Sequence, residues 1–433
     1  MRTVGLISLG CAKNRVDAEH ILGGLAAHGF RIVEDPAQAE ILIVNTCGFI
    51  RDAVEESIEE ILLAARHKEQ GRCRQLVVAG CLIKRYPDLP RELPEVDRFF
   101  GPEDLPRIAR ELGGEPTDRA PGGPLPRLLT QQPHSTYLKI ADGCSNRCTY
   151  CTIPRIRGPF HSLAEDAMVA EARGLAERGV VELNLVAQDV TSYGLDRGDP
   201  GALARLLDRL AGIEGLRWIR LLYAYPRPFP PGVVERMAAG EKLLPYLDLP
   251  IQHIHPRILR AMGRRTTADE VRRVIDGLRE RVPGLVLRTT AIVGFPGETD
   301  AEFEALLRFV EDVRFHHLGA FAYSPEEGTP AERLRPRVPR AVVQARLERL
   351  LEVQAGISLE RNREFLGRSL EVLVEGRDDS GRAVGRTYGQ APEVDGLTVI
   401  EGPEADRAEA GSFVRARITD ADLYDLTARV ESP

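Results

Sequence analysis

The 433-residue chain lacks any apolar run long enough to cross a membrane, because no stretch of about 18 consecutive apolar residues occurs in it. Its amino terminus also lacks an apolar segment followed by a small-residue cleavage site, which is the pattern of a secretory signal. These absences argue against a membrane protein and against a secreted one. We therefore expect a cytoplasmic chain without a membrane partner.

The chain has no surplus of basic residues. Its 58 Lys and Arg residues face 65 Asp and Glu residues, so the net charge is −7 and the chain as a whole is poorly suited to neutralise many phosphates. A local basic patch is still compatible with this count. The charge is also uneven: from Arg368 onward, 8 arginines face 14 acidic residues, a net of −6, whereas the preceding residues carry only −1.

Cysteine is scarce, with seven residues in the chain. Cytoplasmic thiols stay reduced, so these cysteines indicate metal binding or chemistry rather than a framework of disulfides. Their odd number also argues against simple pairing. The remaining composition is that of an ordinary globular protein, with 43% hydrophobic and 28% charged residues. A chain of this length is expected to form two or three domains.

The first 112 residues alternate short apolar runs with helical patterns. Strands are predicted at residues 3–9, 41–45 and 75–79, with helical periodicity between them. This alternation predicts a small doubly wound α/β domain with a parallel sheet. Residues 113–134 contain five prolines and four glycines, a composition that predicts a linker.

Residues 135–366 contain six βα repeats, followed by a long charged helix predicted from residue 340. Strands are predicted near residues 137–141, 182–187, 218–223, 247–251, 286–293 and 318–323. Six repeats are too few to close an eight-stranded barrel. They predict a partial (β/α)6 barrel with its active site at the carboxyl ends of the strands.

Residues 367–433 change to short β-rich runs separated by turn residues. These runs lie at residues 370–375, 397–401 and 412–418. We predict a small antiparallel β-barrel as a third domain.

Three cysteines in one short segment give the strongest chemical signal. Cys144, Cys148 and Cys151 follow the first barrel strand at a three-then-two spacing. Thiolates suit iron–sulfur clusters, and three of them leave one iron of a 4Fe–4S cube open to bind another molecule. Two plainer interpretations stay open: incidental cysteines in a loop, or a structural zinc site without its fourth ligand.

Three further cysteines follow three strands of the amino-terminal domain. Cys11, Cys47 and Cys81 each come about two residues after a predicted strand, where a parallel sheet opens its binding crevice. We therefore predict that they share a second iron–sulfur site. Any one of them alone is better explained as a buried structural cysteine, and Cys73 has no such position.

The segment around Cys144 resembles the radical S-adenosylmethionine (SAM) superfamily in its cysteine motif and its partial barrel. The resemblance implies that the open iron binds SAM and that reduction of the cluster cleaves SAM to a 5′-deoxyadenosyl radical. It places Tyr150 near the adenine, although an ordinary packed aromatic is an equal alternative. From their positions, Gln188 and Gly294 are predicted SAM contacts; a solvated glutamine and a glycine in a tight turn are the plainer alternatives.

Both cysteine sets together, followed by a terminal TRAM-like barrel, are similar to the methylthiotransferases. The resemblance covers essentially the whole chain. It implies two 4Fe–4S clusters: the first makes the radical, and the second delivers a sulfur atom that a second SAM methylates. A methylthio group then replaces an unactivated hydrogen. An electron donor and a sulfur source are required as partners.

The family has two branches, one acting on isopentenyl-adenosine of tRNA and one on the β-carbon of an aspartate in small-subunit ribosomal protein S-twelve. Five segments fit the aspartate branch better, although residues 190–192 match neither branch fully: residues 8–14 (SLGCAKN), 187–194 (AQDVTSYG), 250–253 (PIQH), 288–290 (RTT) and 391–396 (APEVDG).

The acidic terminal domain independently favours the aspartate branch. A domain that grips tRNA is expected to be basic, whereas an acidic surface suits a strongly basic ribosomal protein. We therefore expect no direct tRNA substrate. Three alternatives stay open: a merely solvated acidic surface, the tRNA enzyme, and a non-catalytic iron–sulfur carrier. The carrier is disfavoured because it would need four ligands for each cube.

Overall fold

The computed structural model describes residues 2–114 and 126–431, which form two parallel sheets and one closed barrel. Half of the predicted linker, residues 115–125, lies outside the described residues. The same is true of residue 1 in the first predicted domain and of residues 432–433 in the last. Within the described ranges, no helix is long and apolar enough to span a membrane.

The first sheet contains five parallel strands in the order β2-β1-β3-β4-β5. The strands are β1 (Thr3–Ser8), β2 (Arg31–Ile32), β3 (Ile41–Thr46), β4 (Gln75–Gly80) and β5 (Arg98–Phe100). This order confirms the predicted doubly wound domain. Sequence patterns missed β2 and β5 because two or three residues are too few to show an alternation.

Helices pack on both faces of this sheet. They are α1 (Ala12–Ala27), α2 (Arg51–Gln70), α3 (Cys81–Arg85), α4 (Leu89–Glu92) and α5 (Ile108–Glu111). One hydrophobic core contains buried side chains of α2 and α3, and a second contains those of α1 and α5. Because helices cover both faces of the sheet, all six residues of the central strand β3 are buried.

The second sheet contains six parallel strands in the order β6-β9-β10-β11-β12-β13, beside a two-stranded pair β7-β8. The strands are β6 (Ser135–Lys139), β7 (Ala141–Asp142), β8 (His161–Ser162), β9 (Glu182–Val186), β10 (Trp218–Leu221), β11 (Leu243–Asp248), β12 (Val286–Val293) and β13 (His317–Ala322). In the described chain β6 and β13 remain the two edges, which confirms the predicted open, partial barrel. The fourth strand begins four residues earlier than predicted and ends at Asp248.

Eight helices accompany this sheet in the described chain. They are α6 (Ile153–Arg157), α7 (Glu165–Ala176), α8 (Ala202–Ala211), α9 (Val233–Ala239), α10 (Pro256–Ala261), α11 (Ala268–Arg281), α12 (Asp300–Val313) and α13 (Arg340–Arg363). Capping boxes begin α11 at Thr267 and α12 at Thr299, where each threonine hydroxyl accepts a hydrogen bond from the third helical amide.

The terminal barrel is closed by five strands in the order β14-β15-β16-β18-β17. They are β14 (Ser369–Arg377), β15 (Ala383–Thr387), β16 (Thr398–Glu401), β17 (Phe413–Ala421) and β18 (Leu426–Val430). The predicted small barrel is confirmed. Its pairing is antiparallel except between β16 and β18, which run parallel, and β15 and β18 were not predicted.

The terminal barrel packs against one face of the six-stranded sheet, here called the inner face, while the helices cover the opposite face. Inner-face side chains alternate with those of the helix-covered core and share a hydrophobic cluster with the barrel: Tyr137, Val186, Trp218, Tyr246 and Val286. The rings of Trp218 and Phe413 meet edge to face at 5.0 Å. A buried ion pair between Glu182 and Arg386 also joins the two units.

Candidate active site

The first cysteine set lies in one loop between β7 and α6, and the loop is held by backbone hydrogen bonds. The amide of Cys144 donates to Gly158 O at 3.1 Å. Thr149 binds the end of α10 twice, through its amide to Met262 O at 2.9 Å and through its hydroxyl to Ala261 O at 2.7 Å. These contacts fix the loop at the carboxyl edge of the six-stranded sheet, where the sequence predicted it.

A glycine at the end of α10 allows the loop to approach so closely. Gly263 has a φ of +69°, and a Cβ atom at this position would lie 2.4 Å from Arg147 O. A larger residue would therefore both strain the backbone and push the cysteine loop away.

Two of the half-buried cysteines in this loop have thiols whose pKa is raised. Burial raises the pKa of Cys151 to about 12 and also raises the pKa of Cys144. A neutral thiol is a poor ligand, and metal binding requires its proton to leave. A positively charged metal group would stabilise these thiolates, because it supplies the positive charge that the surrounding protein does not.

The second cysteine set lies on the carboxyl edge of the first sheet, at the ends of three neighbouring strands. Cys11 precedes α1 and follows β1, Cys47 follows β3, and Cys81 follows β4 as the first residue of α3. Topology thus brings together three residues that are up to 70 positions apart in the chain.

Two glycines with left-handed φ values, +95° at Gly10 and +101° at Gly80, let the three loops approach one another. A Cβ atom at Gly10 would lie 2.9 Å from the Cβ of Cys47 and 3.2 Å from its sulfur. A Cβ atom at Gly80 would lie 2.7 Å from Thr46 O, directly before Cys47. The residues adjoining Cys11 and Cys81 therefore both pack against the turn that carries Cys47.

The second set is electrostatically uneven. Burial raises the pKa of Cys81 to about 11, although Arg157 partly offsets the effect by donating from Nε to the sulfur at 3.2 Å. Cys11 is exposed on one side. Protein atoms around its thiol raise the pKa, but Lys13, the amide of Asn14 and Arg157 outweigh them and leave the pKa of Cys11 lowered.

Neither cysteine set converges on a point suited to a single metal ion: in residues 2–114 and 126–431 no group of three His, Cys, Asp or Glu side chains does so. A 4Fe–4S cube binds each thiolate through a different iron, so its ligands surround a cluster rather than one ion. Three soft thiols in each set, without a carboxylate among them, fit such a cluster by the chemistry of their donors.

The two cysteine sets lie side by side. Thr152, next to Cys151, donates its hydroxyl to Phe49 O at 2.9 Å, two residues after Cys47. Arg157 ends the short helix that begins next to Thr152, and its guanidinium reaches the sulfur of Cys81. The helix α6 therefore links the loop of the first set to the second set.

Arg157 and its partners were missed by the sequence analysis. Its guanidinium binds Asp17 at 2.7 Å and Asp142 at 3.1 Å, and Lys139 also pairs with both carboxylates. Only 3% of the Arg157 side chain is exposed. No local pattern could have identified this network, because its members come from two domains; the position of Asp17, six residues after Cys11, was the only available signal.

The three predicted SAM contacts occupy different settings. Tyr150 packs in a small apolar cluster beside Phe295, and burial raises its pKa. Gln188 is half-buried just after β9; its neighbour Asp189 accepts a hydrogen bond from Asn146 of the cysteine loop at 3.1 Å. Tyr150 is thus next to Cys151 in the chain, and Gln188 is next to a residue that contacts the cysteine loop.

Gly294 has a structural explanation that does not involve a ligand. Its φ is +75°, and a Cβ atom there would lie 2.4 Å from Val343 of α13. Its amide donates to Glu298 at 2.9 Å. A contact between Gly294 and SAM stays a prediction. Cys73 is a buried core residue whose thiol donates to Gln75 O, in agreement with its interpretation as an ordinary thiol.

Sequence comparison identifies three families along the chain. The radical SAM superfamily matches residues 138–310, the uncharacterized protein family UPF0004 matches residues 3–101, and the TRAM domain matches residues 366–430. These matches follow the order of the three β units in the structure.

Relatives of similar length share nearly half of their residues with this chain. A protein of Anaeromyxobacter sp. (strain K), named ribosomal protein uS12 methylthiotransferase RimO, is 49% identical over 98% of this chain and 92% of its own length. A protein of Geobacter sulfurreducens with the same name is 46% identical over 99% of this chain and 98% of its own length.

A solved structure agrees with the fold. The radical S-adenosylmethionine methyltransferase TsrM from Kitasatospora setae, solved with cobalamin and a 4Fe–4S cluster bound, superposes with a TM-score of 0.54 and 18% identity. The match covers 76% of this chain and 77% of TsrM, and at this identity it shows the fold alone. The relatives that match nearly the full length and the three family matches together show the family: the chain belongs to the RimO family of radical SAM methylthiotransferases, enzymes that transfer a methylthio group.

Proposed function

We propose that this enzyme places a methylthio group on the β-carbon of an aspartate in ribosomal protein uS12, the S-twelve protein of the small subunit. The relatives that match nearly the whole chain carry the name of a uS12 methylthiotransferase. Under this proposal residues 1–112 hold the sulfur-supplying site, residues 135–366 generate the radical, and residues 367–433 dock the protein substrate.

The radical-generating site is assigned to Cys144, Cys148 and Cys151. Membership of the radical SAM superfamily brings an iron–sulfur cluster and SAM as cofactors. When bound, they supply a carbon-centred radical that removes hydrogen from an unactivated carbon. The three cysteines hold the cluster and leave one iron for SAM, while Tyr150, Gln188 and Gly294 are the proposed SAM contacts.

The second 4Fe–4S cluster is assigned to Cys11, Cys47 and Cys81. The N–H of Arg157 that points at the Cys81 sulfur would stabilise a thiolate there, and the Lys13 charge favours a thiolate at Cys11. An external sulfur source would resupply this site, and an external electron donor would reduce the first one.

The observation that carries the proposal is the contact between the two sites. The Thr152 hydroxyl on the Phe49 carbonyl and the Arg157 guanidinium on the Cys81 sulfur join them through one five-residue helix. A substrate carbon that loses hydrogen at the first site would therefore stand next to the sulfur held at the second.

The substrate is inferred from relatives and from charge. The net charge of −6 from Arg368 onward favours a basic ribosomal protein over tRNA, with an attraction that weakens as salt rises. The reduced thiols that both sites require fit the cytoplasm, the compartment predicted from the sequence.

The experiment compares both substrates directly. Anaerobically reconstituted and reduced enzyme is incubated with SAM, a sulfide source and either uS12 or unmodified tRNA, and the products are analysed by mass spectrometry. We expect one methylthio group in place of hydrogen on an aspartate of uS12 and none on tRNA. A gain on adenosine alone would assign the chain to the tRNA branch instead.

A further inference from the structure

The inner face of the six-stranded sheet gathers three residues from different segments that match the aspartate branch: Lys13 from residues 8–14, Arg288 from residues 288–290 and Asp395 from residues 391–396. Asp395 lies 3.3 Å from Nε of Arg288, and it accepts a hydrogen bond from the Tyr246 hydroxyl at 2.6 Å. Segments far apart in sequence thus meet at one place in the fold.

Arg288 lies in a row of polar side chains that crosses three strands. Asp248 on β11, Arg288 on β12 and His317 on β13 are in register with one another. In the described chain no acceptor is hydrogen-bonded to either terminal nitrogen of the guanidinium, and 16% of the Arg288 side chain remains exposed. Within the described residues, Arg288 therefore forms an ion pair with Asp395 and keeps its terminal N–H groups free of a hydrogen-bond acceptor.

Lys13 supplies a second cation with unused donors. The residue is 6% exposed, and its ammonium lies 3.4 Å from the centre of the Tyr223 ring. Among residues 2–114 and 126–431, no oxygen accepts a hydrogen bond from this ammonium. The donors of this ammonium are therefore available to an anion that arrives from outside.

The two cations border the same space. The amide of Tyr223, whose ring lies under Lys13, donates to Asp248 at 3.1 Å, and Asp248 stands beside Arg288 in the strand register. Tyr223 adopts a φ of +63°, a left-handed conformation that is strained for a residue with a side chain. Strained conformations of this kind cluster at functional sites.

We propose that Lys13 and Arg288 together bind the side-chain carboxylate of the aspartate to be modified. This inference rests on the proposed function and states how that site recognises its substrate. The planar guanidinium matches a carboxylate with two parallel N–H donors, and the Lys13 ammonium adds a point charge. Tyr246 and Asp395 position Arg288: the Tyr246 hydroxyl donates to Asp395, and Asp395 pairs with Arg288.

The arrangement also explains selection against tRNA. An isopentenyl-adenosine carries no carboxylate, so its entry would leave the free N–H groups of Lys13 and Arg288 without an acceptor. Lys13 lies two residues after Cys11 and its charge acts on the Cys11 thiol, so a carboxylate held here would place the neighbouring β-carbon close to the second cysteine set. Asp395 alone does not need both cations, because Tyr246 and the Ala391 amide already donate to it.

The test measures binding rather than turnover. Reconstituted enzyme is titrated with uS12 that carries either the target aspartate or asparagine at that position, for the natural enzyme and for Lys13→Met and Arg288→Gln. Loss of one charge-assisted hydrogen bond is expected to weaken binding of the aspartate form about tenfold to a hundredfold. Binding of the asparagine form should change much less, so the preference for aspartate collapses.

Controls separate a local effect from a loss of folding. Lys68→Met and Arg272→Gln remove a lysine and an arginine of surface ion pairs and should keep the full preference for aspartate. Lys13→Arg and Arg288→Lys keep the charge and should keep part of it. If the charge-keeping variants bind both forms of uS12 as the neutral variants do, the pair is structural and the inference is wrong.

Two further results would overturn the inference. One is an unchanged ratio of aspartate to asparagine affinity in Lys13→Met and Arg288→Gln. The other is a loss of SAM affinity in these variants with uS12 binding intact, because the pair would then hold the carboxylate of SAM. Failure of the proposed function is a separate observation: the natural enzyme would then leave uS12 without a methylthio group.

Discussion

The two cysteine sites differ in how the chain builds them. The first comes from eight consecutive residues whose loop is tied to α10 by the amide and hydroxyl of Thr149. The second takes one cysteine from each of three strand ends and is completed by Arg157 from another domain. The first site is thus a property of a segment, whereas the second is a property of the fold.

The difference concerns electrostatics as well as assembly. Burial alone dominates at the first site, where it raises the pKa of both Cys144 and Cys151. At the second site two cations oppose it, and they bring the pKa of Cys11 below its usual range while Cys81 stays above. The second site therefore contains one cysteine whose thiolate the protein itself favours, at Cys11.

Cys148→Ala is expected to have the largest effect. Loss of one of three cluster ligands should abolish SAM cleavage, because the open iron that binds SAM is lost with the cluster. Iron content should fall by about half, from roughly eight to roughly four atoms per chain. The measurements are 5′-deoxyadenosine formation and iron analysis of the reconstituted protein. Continued 5′-deoxyadenosine formation would contradict the assignment of this loop.

Cys47→Ala should separate the two sites. SAM cleavage is expected to persist, whereas transfer of the methylthio group should stop, because Cys47 belongs only to the second set. Cys73→Ala provides the matched control, since this cysteine lies in the core of the same domain away from both sets. Unchanged methylthio product in Cys47→Ala would remove the second site from the reaction.

The comparison also explains what the sequence could predict. The spacing of Cys144, Cys148 and Cys151 predicts the first site without knowledge of the fold. The second required the strand pattern of residues 1–112, because only a parallel sheet brings Cys11, Cys47 and Cys81 to one edge. The doubly wound sheet, the open six-stranded barrel and the terminal barrel all followed from periodicity.

Side-chain contacts between domains could not be predicted. Arg157 is one of 53 arginines and has no local pattern that distinguishes it. Its pairing with Asp17 and its contact with Cys81 exist only because α6 packs against the first domain. The short strands β2, β5, β15 and β18 escaped for a related reason, since sheet partners rather than their own residues define them.

Arg157→Met should reveal how strongly the second site depends on the rest of the fold. The change leaves buried Asp17 with Lys139 as its remaining cation, and breaking a buried ion pair is expected to lower the free energy of unfolding by about 3 kcal/mol. Methylthio transfer should fall more than SAM cleavage. Denaturant titration and product analysis measure the two effects.

The neighbouring Arg155 supplies the control for this change. It lies on the same helix but is exposed, and its guanidinium donates to Glu327 O at 3.3 Å. Arg155→Met should therefore change the free energy of unfolding very little. Equal losses in the two variants would indicate a general effect on the helix rather than a role of the buried network.

Thr152→Val should have the smallest effect and bears most directly on the contact between the sites. The variant removes the hydrogen bond to Phe49 O, and the expected loss is about 1 kcal/mol of unfolding free energy. Arg85 still donates to the same carbonyl at 3.0 Å, so the acceptor is not left unsatisfied.

Thr149→Val is the matched comparison, since it removes the hydroxyl contact to Ala261 O within the first site. If the sites are built as described, Thr149→Val should lower SAM cleavage, whereas Thr152→Val should lower the fraction of cleaved SAM that yields methylthio product. That yield per cleavage isolates the Thr152 contact from the chemistry of the first site. Similar yields in both variants would show that this hydrogen bond does not couple the two sites.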